Sequence, residues 1–323
     1  MTASARPTLA LCVPAFNATR DLPRLFAGVA KQAVPFDEVL VYDDASTDGT
    51  AEMAQSYGAT VIRGATNRGC SFGKNELASA ARSDWLHFCD ADDERMPHFV
   101  SAARPWMESP GGPDVVMMSY EDRDPDGTVL RTQIFDDESL GRDALRAVIL
   151  RQHSNCGLYR RAAFLRAGGF DADPAVLYNE DDALHVRLAL EGLRFRAEPR
   201  VAAVIYQRPG SMSRTRPVAC LRSRFHVLAK AGERAPSSHR DALVLQLWRC
   251  AGALAGFSEW EYADRCVQVA AQLGGGTAPE GKAYFRLTSR ISPGLALRIR
   301  ERAIRWFRPH LRPHLRPRAE GLA

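Results

Sequence analysis

Three carboxylates fall within four residues at Asp90-Ala91-Asp92-Asp93, directly after the apolar run Trp85-Leu86-His87-Phe88-Cys89. The run predicts a buried strand that ends where the acids begin. In open α/β sheets, ligands sit beyond the carboxyl ends of the strands, so acids placed there project into a ligand crevice. Carboxylates this close repel one another unless positive charge lies between them. A hard divalent cation that takes one or two of them, together with phosphate oxygens, is one remedy. An acidic turn in solvent is the other, and an isolated Asp-x-Asp does not choose between the two.

Two further polar clusters follow apolar runs. Val13-Pro14-Ala15-Phe16-Asn17 closes the first, and Asp43-Asp44-Ala45-Ser46-Thr47-Asp48-Gly49-Thr50 closes the second. Both place polar groups at the same sheet edge as Asp90 and Asp92. One of Ser46, Thr47 and Asp48 suits a helix N-cap. That role does not account for Asp43 and Asp44, which stand earlier, where a carboxylate can accept from a base N–H or a ribose hydroxyl. Glu180-Asp181 opens a helical stretch, where acids either complement the helix dipole or take a proton in a reaction. No Gly-x-Gly-x-x-Gly or Walker-type loop follows any strand, so dinucleotide and P-loop readings lose their main warrant.

The elements that must position these groups alternate in type. Strands are expected at Leu9 to Val13, Glu38 to Tyr42, Thr60 to Arg63 and Trp85 to Cys89. Helices are expected between them at Leu22 to Lys31, Thr50 to Tyr57 and Phe72 to Ala81. This alternation predicts an α/β fold, with a Rossmann-like, mostly parallel sheet and helices on both faces. After the acids the pattern loosens. Asp114 to Tyr120 and Val129 to Phe135 read as strands joined by Asp124-Pro125-Asp126-Gly127, whose residues suit a turn. Glu121, Asp122, Asp124 and Asp126 are expected at a solvated hairpin tip. Glu180 to Gly192 reads as a helix and Arg194 to Tyr206 as an extended segment. Beyond Pro217 the chain reads as helical. The expected division is a catalytic domain over 1–215, with a nucleotide-binding half over 1–93 and an acceptor-binding half over 94–215. A helical extension over 216–292 and a basic tail over 293–323 follow.

Composition excludes several classes. An apolar content of 46% and a charged content of 25% in 323 residues are those of an ordinary globular protein. No apolar stretch approaches the roughly 20 residues needed to span a bilayer. Met1 to Pro7 lacks the apolar core of a signal peptide. Seven scattered cysteines without a Cys-x-x-Cys argue against a disulfide framework or zinc site and predict a cytoplasmic location. Charge is unevenly spread: from Arg290 onward nine arginines face only Glu301 and Glu320, a net of +7. The whole chain carries +5, which leaves −2 on residues 1–289.

The ordered series Val13-Pro14-Ala15-Phe16-Asn17, Asp43 to Thr50, Asn67-Arg68-Gly69, Lys74-Asn75 and Asp90-Ala91-Asp92-Asp93 resembles the inverting family 2 glycosyltransferases with the GT-A fold. Gly157-Leu158-Tyr159-Arg160-Arg161, Gly168-Gly169-Phe170-Asp171, Asn179-Glu180-Asp181, Arg187-Leu188 and Tyr206-Gln207-Arg208-Pro209-Gly210-Ser211-Met212-Ser213 continue it. The resemblance spans about residues 8 to 215. It implies transfer of a sugar from a nucleoside diphosphate donor, usually a UDP-sugar, to a hydroxyl of a glycan, lipid-linked or small-molecule acceptor. Polysaccharide biosynthesis is the usual setting.

Residue by residue, the resemblance implies that Asp44 bonds the nucleobase and that Pro14, Ala15 and Phe16 wall its pocket. Asn17, Asp43, Asn67, Gly69, Lys74, Asn75 and Ala91 complete the nucleotide site. Asp90 meets the ribose or the metal shell, and Asp92 ligates Mn²⁺ or Mg²⁺. Asp181, beside Glu180, is the general base. Arg208, Ser211 and Ser213 belong to a loop over the diphosphate, and Asn155, Cys156 and Gly157 to the acceptor loop. The chain departs from the family's usual residues in having Phe16 for Tyr, Lys74 for Arg, and Pro209 or Gly210 where a His is common. Charge building on the leaving phosphate needs a metal and a cation, and the attacking hydroxyl needs a base on the opposite face of the sugar. Two other classes remain in view. A sugar-phosphate nucleotidyltransferase would want a Gly-rich, Arg-containing loop where Pro14-Ala15-Phe16-Asn17 stands. A catalytically silent nucleotide-sugar binding module would not need Asp90, Asp92 and Asp181 together.

His87, Trp85 and Trp106 read as packed core residues. His153 and Cys156 flank the expected acceptor loop. In the tail, Leu295, Leu297, Ile299, Ile304, Trp306 and Phe307 interleave with Arg298, Arg300, Arg302, Arg305 and Arg308. Three readings stay open: a helix lying peripherally on an anionic membrane surface, a helix packed on the body, or a disordered basic end. The apolar positions do not form one clean face. No aromatic-basic pattern for reading bases appears, so nucleic acid is not an expected partner.

Overall fold

Pro14 marks where the first strand of the sheet loses a neighbour. Strand β1 (Leu9–Ala15) lies between β2 (Glu38–Asp43) and β4 (Trp85–Phe88) and runs parallel to both. Cys12 faces β4, since its carbonyl accepts from Cys89 N at 3.0 Å. Two residues on, Pro14 faces the same side, where β4 has ended, so its missing N–H leaves no ladder bond unmade. The strand order reverses between β1 and β4, and the crevice at their carboxyl ends is the switch point at which such sheets hold ligands.

A computed structural model describes residues 6–151, 156–208, 210 and 215–312. They fall into two compact units, Met1–Ser211 and Met212–Ala323. In the first, a nine-stranded sheet has the order β3-β2-β1-β4-β8-β6-β9-β5, with β7 added on β6. Strand β3 is Thr60–Arg63, β5 Glu94–Arg95, β6 Val115–Arg123, β7 Val129–Gln133, β8 Gly157–Arg160 and β9 Phe195–Tyr206. The β3-β2-β1-β4 part is wholly parallel. Beyond it β8 runs antiparallel to both β4 and β6, while β9 returns parallel to β6. The expected α/β class with a mostly parallel Rossmann-like first half is what the fold shows. The strands β1 and β4 are almost continuous apolar runs because both their faces are covered.

Helices α1 (Leu22–Ala30), α2 (Thr50–Ser56) and α3 (Cys70–Ala80) link these strands. Helix α3 seats closely on β2. A Cβ at Gly73 would come 2.7 Å from the Tyr42 ring, so glycine sets the approach. That approach carries the next residue, Lys74, into the interior.

The second half holds what the sequence pattern left unplaced: α4 (Phe99–Glu108), α5 (Asp137–Arg142), α6 (Ala144–Leu150), α7 (Arg161–Arg166) and strand β8. The hairpin expectation needs correction. Asp124 and Asp126 lie at the turn, but Glu121 and Asp122 belong to β6. Asp122 is buried and accepts from Arg131 Nε at 2.7 Å and Gln207 Nε2 at 3.0 Å. Helix α8 (Glu180–Leu190) starts after a 3₁₀ turn at Pro174–Asn179. Trp85 and His87 are packed in the core as expected, while Trp106 is half-buried and donates to Glu198 at 2.9 Å.

The second unit is helical: α9 (Pro217–Arg234), α10 (Arg240–Gly256), α11 (Trp260–Gln272), α12 (Ala283–Ile291) and α13 (Pro293–Phe307). Its core includes Phe225, Leu228, Leu243, Leu247, Leu254 and Leu297. Among the described residues no helix is long and apolar enough to cross a membrane.

Candidate active site

The loops after β1 and β2 are laced into one rigid edge. Asn17, held at φ +47°, donates its N–H to Ser46 Oγ and accepts from Thr47 N, each at 2.9 Å. Asp48 accepts from Thr50 N and Thr50 Oγ1, and from Thr19 N and Oγ1. The N-cap of α2 is Gly49 and not one of Ser46, Thr47 and Asp48, and Asp48 instead holds the first helical residue, Thr50, from one position earlier. Burial alone would raise its pKa, but the bonds from Thr50 and Thr19 hold it below the usual carboxylate range.

Asp43 and Asp44 are both buried. Asp43 accepts from Ser46 N at 3.2 Å. The Asp44 carboxylate accepts from Arg68 N at 2.8 Å and Gly69 N at 2.7 Å. The acid expected at the nucleobase is thus also the brace of the Asn67-Arg68-Gly69 loop, and each of its oxygens keeps a further lone pair. Asn67 lies exposed on that loop, and Phe16 stands 51% exposed at the neighbouring strand end. An aromatic ring left open beside a buried carboxylate is a surface on which a planar group can stack.

Lys74 organises the other side. Its side chain is wholly buried, and its Nζ lies 3.5 Å from Asp90 Oδ1, 3.5 Å from Asp181 Oδ1 and 3.8 Å from Glu180 Oε1. The Phe170 ring lies beneath it, 5.0 Å from Nζ to the centroid. Burial works against the ammonium, but Asp181 and then Asp90 outweigh it and hold its pKa well above the ordinary lysine value. Burial, followed by the Asp181 charge, pushes Glu180 up to about 8, with Lys74 opposing. A proton is thus held more tightly at Glu180 than at an ordinary carboxyl.

The mutual position of these groups is fixed by the Gly168-Gly169-Phe170-Asp171 turn. Asn75 uses both ends of its amide there: Oδ1 accepts from Phe170 N at 2.9 Å and Nδ2 donates to Phe170 O at 3.0 Å. Arg187 pairs with Asp171 at 3.1 Å and donates to Gly169 O at 3.0 Å. Asn75, expected at the nucleotide, is thus placed as the clamp between α3 and this turn. Cys156 and Gly157, expected in an acceptor loop, are buried at the start of β8. The Gly157 carbonyl accepts from His87 Nδ1 at 2.8 Å, and Cys156 O accepts from Met118 N. Burial pushes the Cys156 thiol up to about 12, so it is inert as a nucleophile. Asn155, Ser211 and Ser213, with His153, lie outside the described residues.

At the acid turn, Asp92 is partly open, and Arg208 reaches within 3.5 Å of its Oδ2. Arg208 forks onto Asp21 with both contacts at 2.8 Å, and Arg24 donates to the Asp92 carbonyl at 2.6 Å while stacking on Tyr206. Burial, then the charge of Asp90, raises the Asp92 carboxyl above its usual value, with Arg208 opposing. Asp93 is buried and accepts from Tyr206 N at 3.3 Å. Arg95 lies in the core near it, donating Nε–H to His87 Nε2 at 2.6 Å. Burial and the Arg95 charge keep His87 neutral, a structural partner and not a ligand. Sequence reasoning missed Asp21, Arg24 and Arg95. Asp21 precedes a helix start with Pro23 at its second position, but nothing local names Arg208 as its partner.

Among the described residues, no three His, Cys, Asp or Glu groups converge to hold a metal by themselves. The donors present suit a cation that takes only one or two carboxylates and completes its shell with phosphate and water. Asp90 Oδ1 is shielded from solvent and makes no hydrogen bond among the described residues, and the Asp92 carboxylate opens beside it. Asp90, with Lys74 Nζ 3.5 Å from its Oδ1, and the partly open Asp92 are two hard oxygen donors of the kind Mg²⁺ or Mn²⁺ takes.

Residues 10–167 match the Glycosyl transferase family 2 domain. An uncharacterised glycosyltransferase of Haemophilus influenzae is 36% identical over 90 residues, 28% of this chain and 31% of that protein. A putative teichuronic acid biosynthesis glycosyltransferase of Bacillus subtilis is 28% identical over 94 residues, 28% of this chain and 37% of the other. The chain therefore spans about a third of the length of the curated relatives it matches. Among solved structures, Staphylococcus aureus TarS 1–349 in complex with UDP-GlcNAc superposes with a TM-score of 0.65 at 17% identity, covering 93% of this chain and 92% of that one. The mannosyltransferase PcManGT of Pyrobaculum calidifontis, in complex with GDP-Man and Mn²⁺, gives 0.58 at 19% identity, covering 95% and 83%. At these identities the likeness establishes the fold, which is the expected GT-A architecture.

Proposed function

We propose that this chain, whose residues 10–167 belong to glycosyl transferase family 2, moves a sugar from a nucleoside diphosphate donor to an acceptor hydroxyl in a single displacement with inversion at C1. The observation that carries the reading is Lys74, which draws Asp90, Glu180 and Asp181 around one buried ammonium at the carboxyl edge of the parallel strands. Leaving-group binding and proton removal need such groups within one sugar's reach of each other.

Asp44 accepts from the nucleobase and Phe16 stacks on it, with Pro14, Ala15 and Asn67 around them. Asp90 and Asp92 are the residues that would hold a divalent cation, which when bound would supply positive charge to the departing diphosphate. Lys74 and Arg208 add fixed positive charge beside the same acids, which lowers the barrier as charge builds on the phosphate. Asp181 accepts the proton of the attacking hydroxyl, a task that needs hydrogen-bond reach more than an unusual proton affinity. Glu180, holding a proton, keeps a second negative charge away from the incoming oxygen. A glycan, a lipid-linked sugar or a small hydroxylated molecule fits as acceptor.

The structural neighbours carry different nucleotides, UDP-GlcNAc in TarS and GDP-Man in PcManGT. A panel of UDP-, GDP- and TDP-sugars therefore tests the reading directly, scored for donor hydrolysis with Mg²⁺, with Mn²⁺ and with chelator. Release of nucleoside diphosphate from one donor, dependent on metal, is the expected result. Release of pyrophosphate from a sugar phosphate and a nucleoside triphosphate would replace this reading with a nucleotidyltransferase. Tight donor binding without turnover on any acceptor would leave a binding module.

A further inference from the structure

Helices α12 and α13 each present an apolar stripe to solvent. On α13, Leu295, Ile299 and Trp306 share one face with Arg302, at helical spacings of four, three and four, while Ala296, Leu297 and Glu301 are buried on another. On α12, Tyr284, Leu287 and Ile291 are exposed at spacings of three and four, while Phe285 and Ser289 are buried. Ile291 is 86% exposed, Trp306 81% and Phe307 77%. The division of the tail's apolar residues between a buried and an open face is why no single clean face is legible in the sequence. Beside the stripes runs a groove of about 480 Å³ whose walls include Tyr284 from α12, Phe307 from α13 and Leu311 from the turn that follows it. Large side chains clustered in the open mark an interaction surface and not a random surface.

Charge decides what that surface meets. From Lys282 to Arg312 the sequence places nine cations against the single acid Glu301. Glu301 is turned inward and already paired with Arg305 and Arg312. Lys282, Arg286, Arg290, Arg302 and Arg308 are exposed. A second copy would bring the same cations face to face and be repelled. A polyanion without an apolar layer would leave Leu287, Ile291, Leu295 and Trp306 in water. Anionic lipid satisfies both demands, since arginines reach headgroup phosphates while aliphatic and indole side chains enter the acyl boundary.

We propose that the α12–α13 pair lies in the plane of an anionic bilayer surface, with Leu287, Ile291, Leu295, Ile299, Trp306 and Phe307 inserted and Arg286, Arg290, Arg302 and Arg308 on headgroup phosphates. This anchors the second unit without a spanning segment. It is independent of the reaction assigned to the first unit.

The test is co-sedimentation of the full chain with vesicles of phosphatidylglycerol mixed into phosphatidylcholine, against phosphatidylcholine alone. The wild-type chain binds the anionic vesicles, and binding falls as salt rises. Trp306→Ser with Phe307→Ser weakens vesicle affinity by about tenfold or more, as loss of two inserted aromatics requires. Arg302→Glu with Arg308→Glu does the same, and both variants keep wild-type circular dichroism because the altered side chains are exposed. Failure of the wild-type chain to bind anionic vesicles overturns the proposal. So does undiminished binding by the aromatic variant, which would leave only unspecific attraction to negative charge. A lipid-free oligomer that dissociates on Trp306→Ser with Phe307→Ser, in a chain that ignores vesicles, would assign the face to a second copy instead.

Discussion

Lys74 Nζ lies 3.5 Å from Asp181 Oδ1, with the lysine wholly buried and the aspartate partly open. The same nitrogen is 3.5 Å from Asp90 Oδ1. At an effective dielectric near 20 each contact attracts by about 5 kcal/mol before solvent screening, and burying an ammonium costs several. One half-exposed partner would not keep the charge in place, but several carboxylates do. Lys74→Met leaves Asp90 and Asp181 without their counter-charge and is expected to lower transfer by about a hundredfold or more, the scale of losing one fixed electrostatic group at developing charge. Lys74→Arg, which restores the family's usual cation, stays within about tenfold of wild type on the same argument of retained charge. Steady-state rates on the active donor check both. Equal rates for the Met and wild-type enzymes would remove Lys74 from the reaction.

If Asp181 is the base, Asp181→Asn removes the proton acceptor while Asp90 and Glu180 still face Lys74. Nucleoside diphosphate affinity by titration calorimetry then stays near wild type while transfer falls by about a hundredfold or more, the scale of general base catalysis. Transfer at about a tenth of the wild-type rate or above, a barrier increase of no more than about 1.4 kcal/mol, would assign the proton to another group.

Asp92 has Arg208 at 3.5 Å and no other side-chain cation within ion-pair distance among the described residues. Asp92→Asn halves the hard anionic donors available to a cation. The Mn²⁺ concentration for half-maximal activity should rise about tenfold or more, since weakening a metal's ligand set costs on that order. Added metal should then recover much of the rate. A variant with unchanged metal dependence would place the cation elsewhere.

The turn that fixes the site carries its own weak point. Gly169 sits at φ +63°, and a Cβ there would lie 2.4 Å from Asn75 Oδ1. Gly169→Ala therefore meets left-handed backbone strain and breaks the Asn75 clamp on Phe170. A loss of about 2 kcal/mol or more is expected in denaturant unfolding, the sum of a strained residue and an unmade buried hydrogen bond. Gly192→Ala, also at positive φ but with open space around its Cβ, pays only the backbone part and should cost about 1 kcal/mol. Equal losses at the two positions would mean that the clamp contributes nothing.

How much of this could be read in advance depends on whether a partner is local. Strands β1 to β4 stand within a residue or two of their expected ends; for β1, β2 and β4 this is because buried parallel strands write themselves as apolar runs bounded by polar turns. Asp90 and Asp92 were legible as charge crowding at a strand end. Asn75 was not legible as a clamp, since its partner Phe170 lies 95 residues on. Asp21 and Arg208 are 187 residues apart, and no pattern in either segment announces the pair. Strand β8 escaped notice because Gly157-Leu158-Tyr159-Arg160 is no apolar run and its place between β4 and β6 is set by the sheet. Asp122 reads as solvated by composition, yet Arg131 across the hairpin takes its charge into the interior.

Glu180 ties the site to stability through pH. Its side chain is 12% exposed, and burial together with the Asp181 charge lifts its pKa from 4.5 to about 8. Between those two values the folded chain holds a proton at Glu180 that the unfolded chain has released. Stability therefore falls as pH rises through this window, by at most about 1.4 kcal/mol per pH unit. Glu180→Gln cannot ionise and escapes the penalty. Relative to wild type, the variant should gain midpoint denaturant concentration steadily from pH 5 to pH 8, with the difference levelling off above the folded value and becoming constant below pH 4.5. Urea unfolding of both proteins across that range measures it. A wild-type and variant difference that stays constant with pH would mean Glu180 is ionised in the fold, and the division of labour between Glu180 and Asp181 would fail with it.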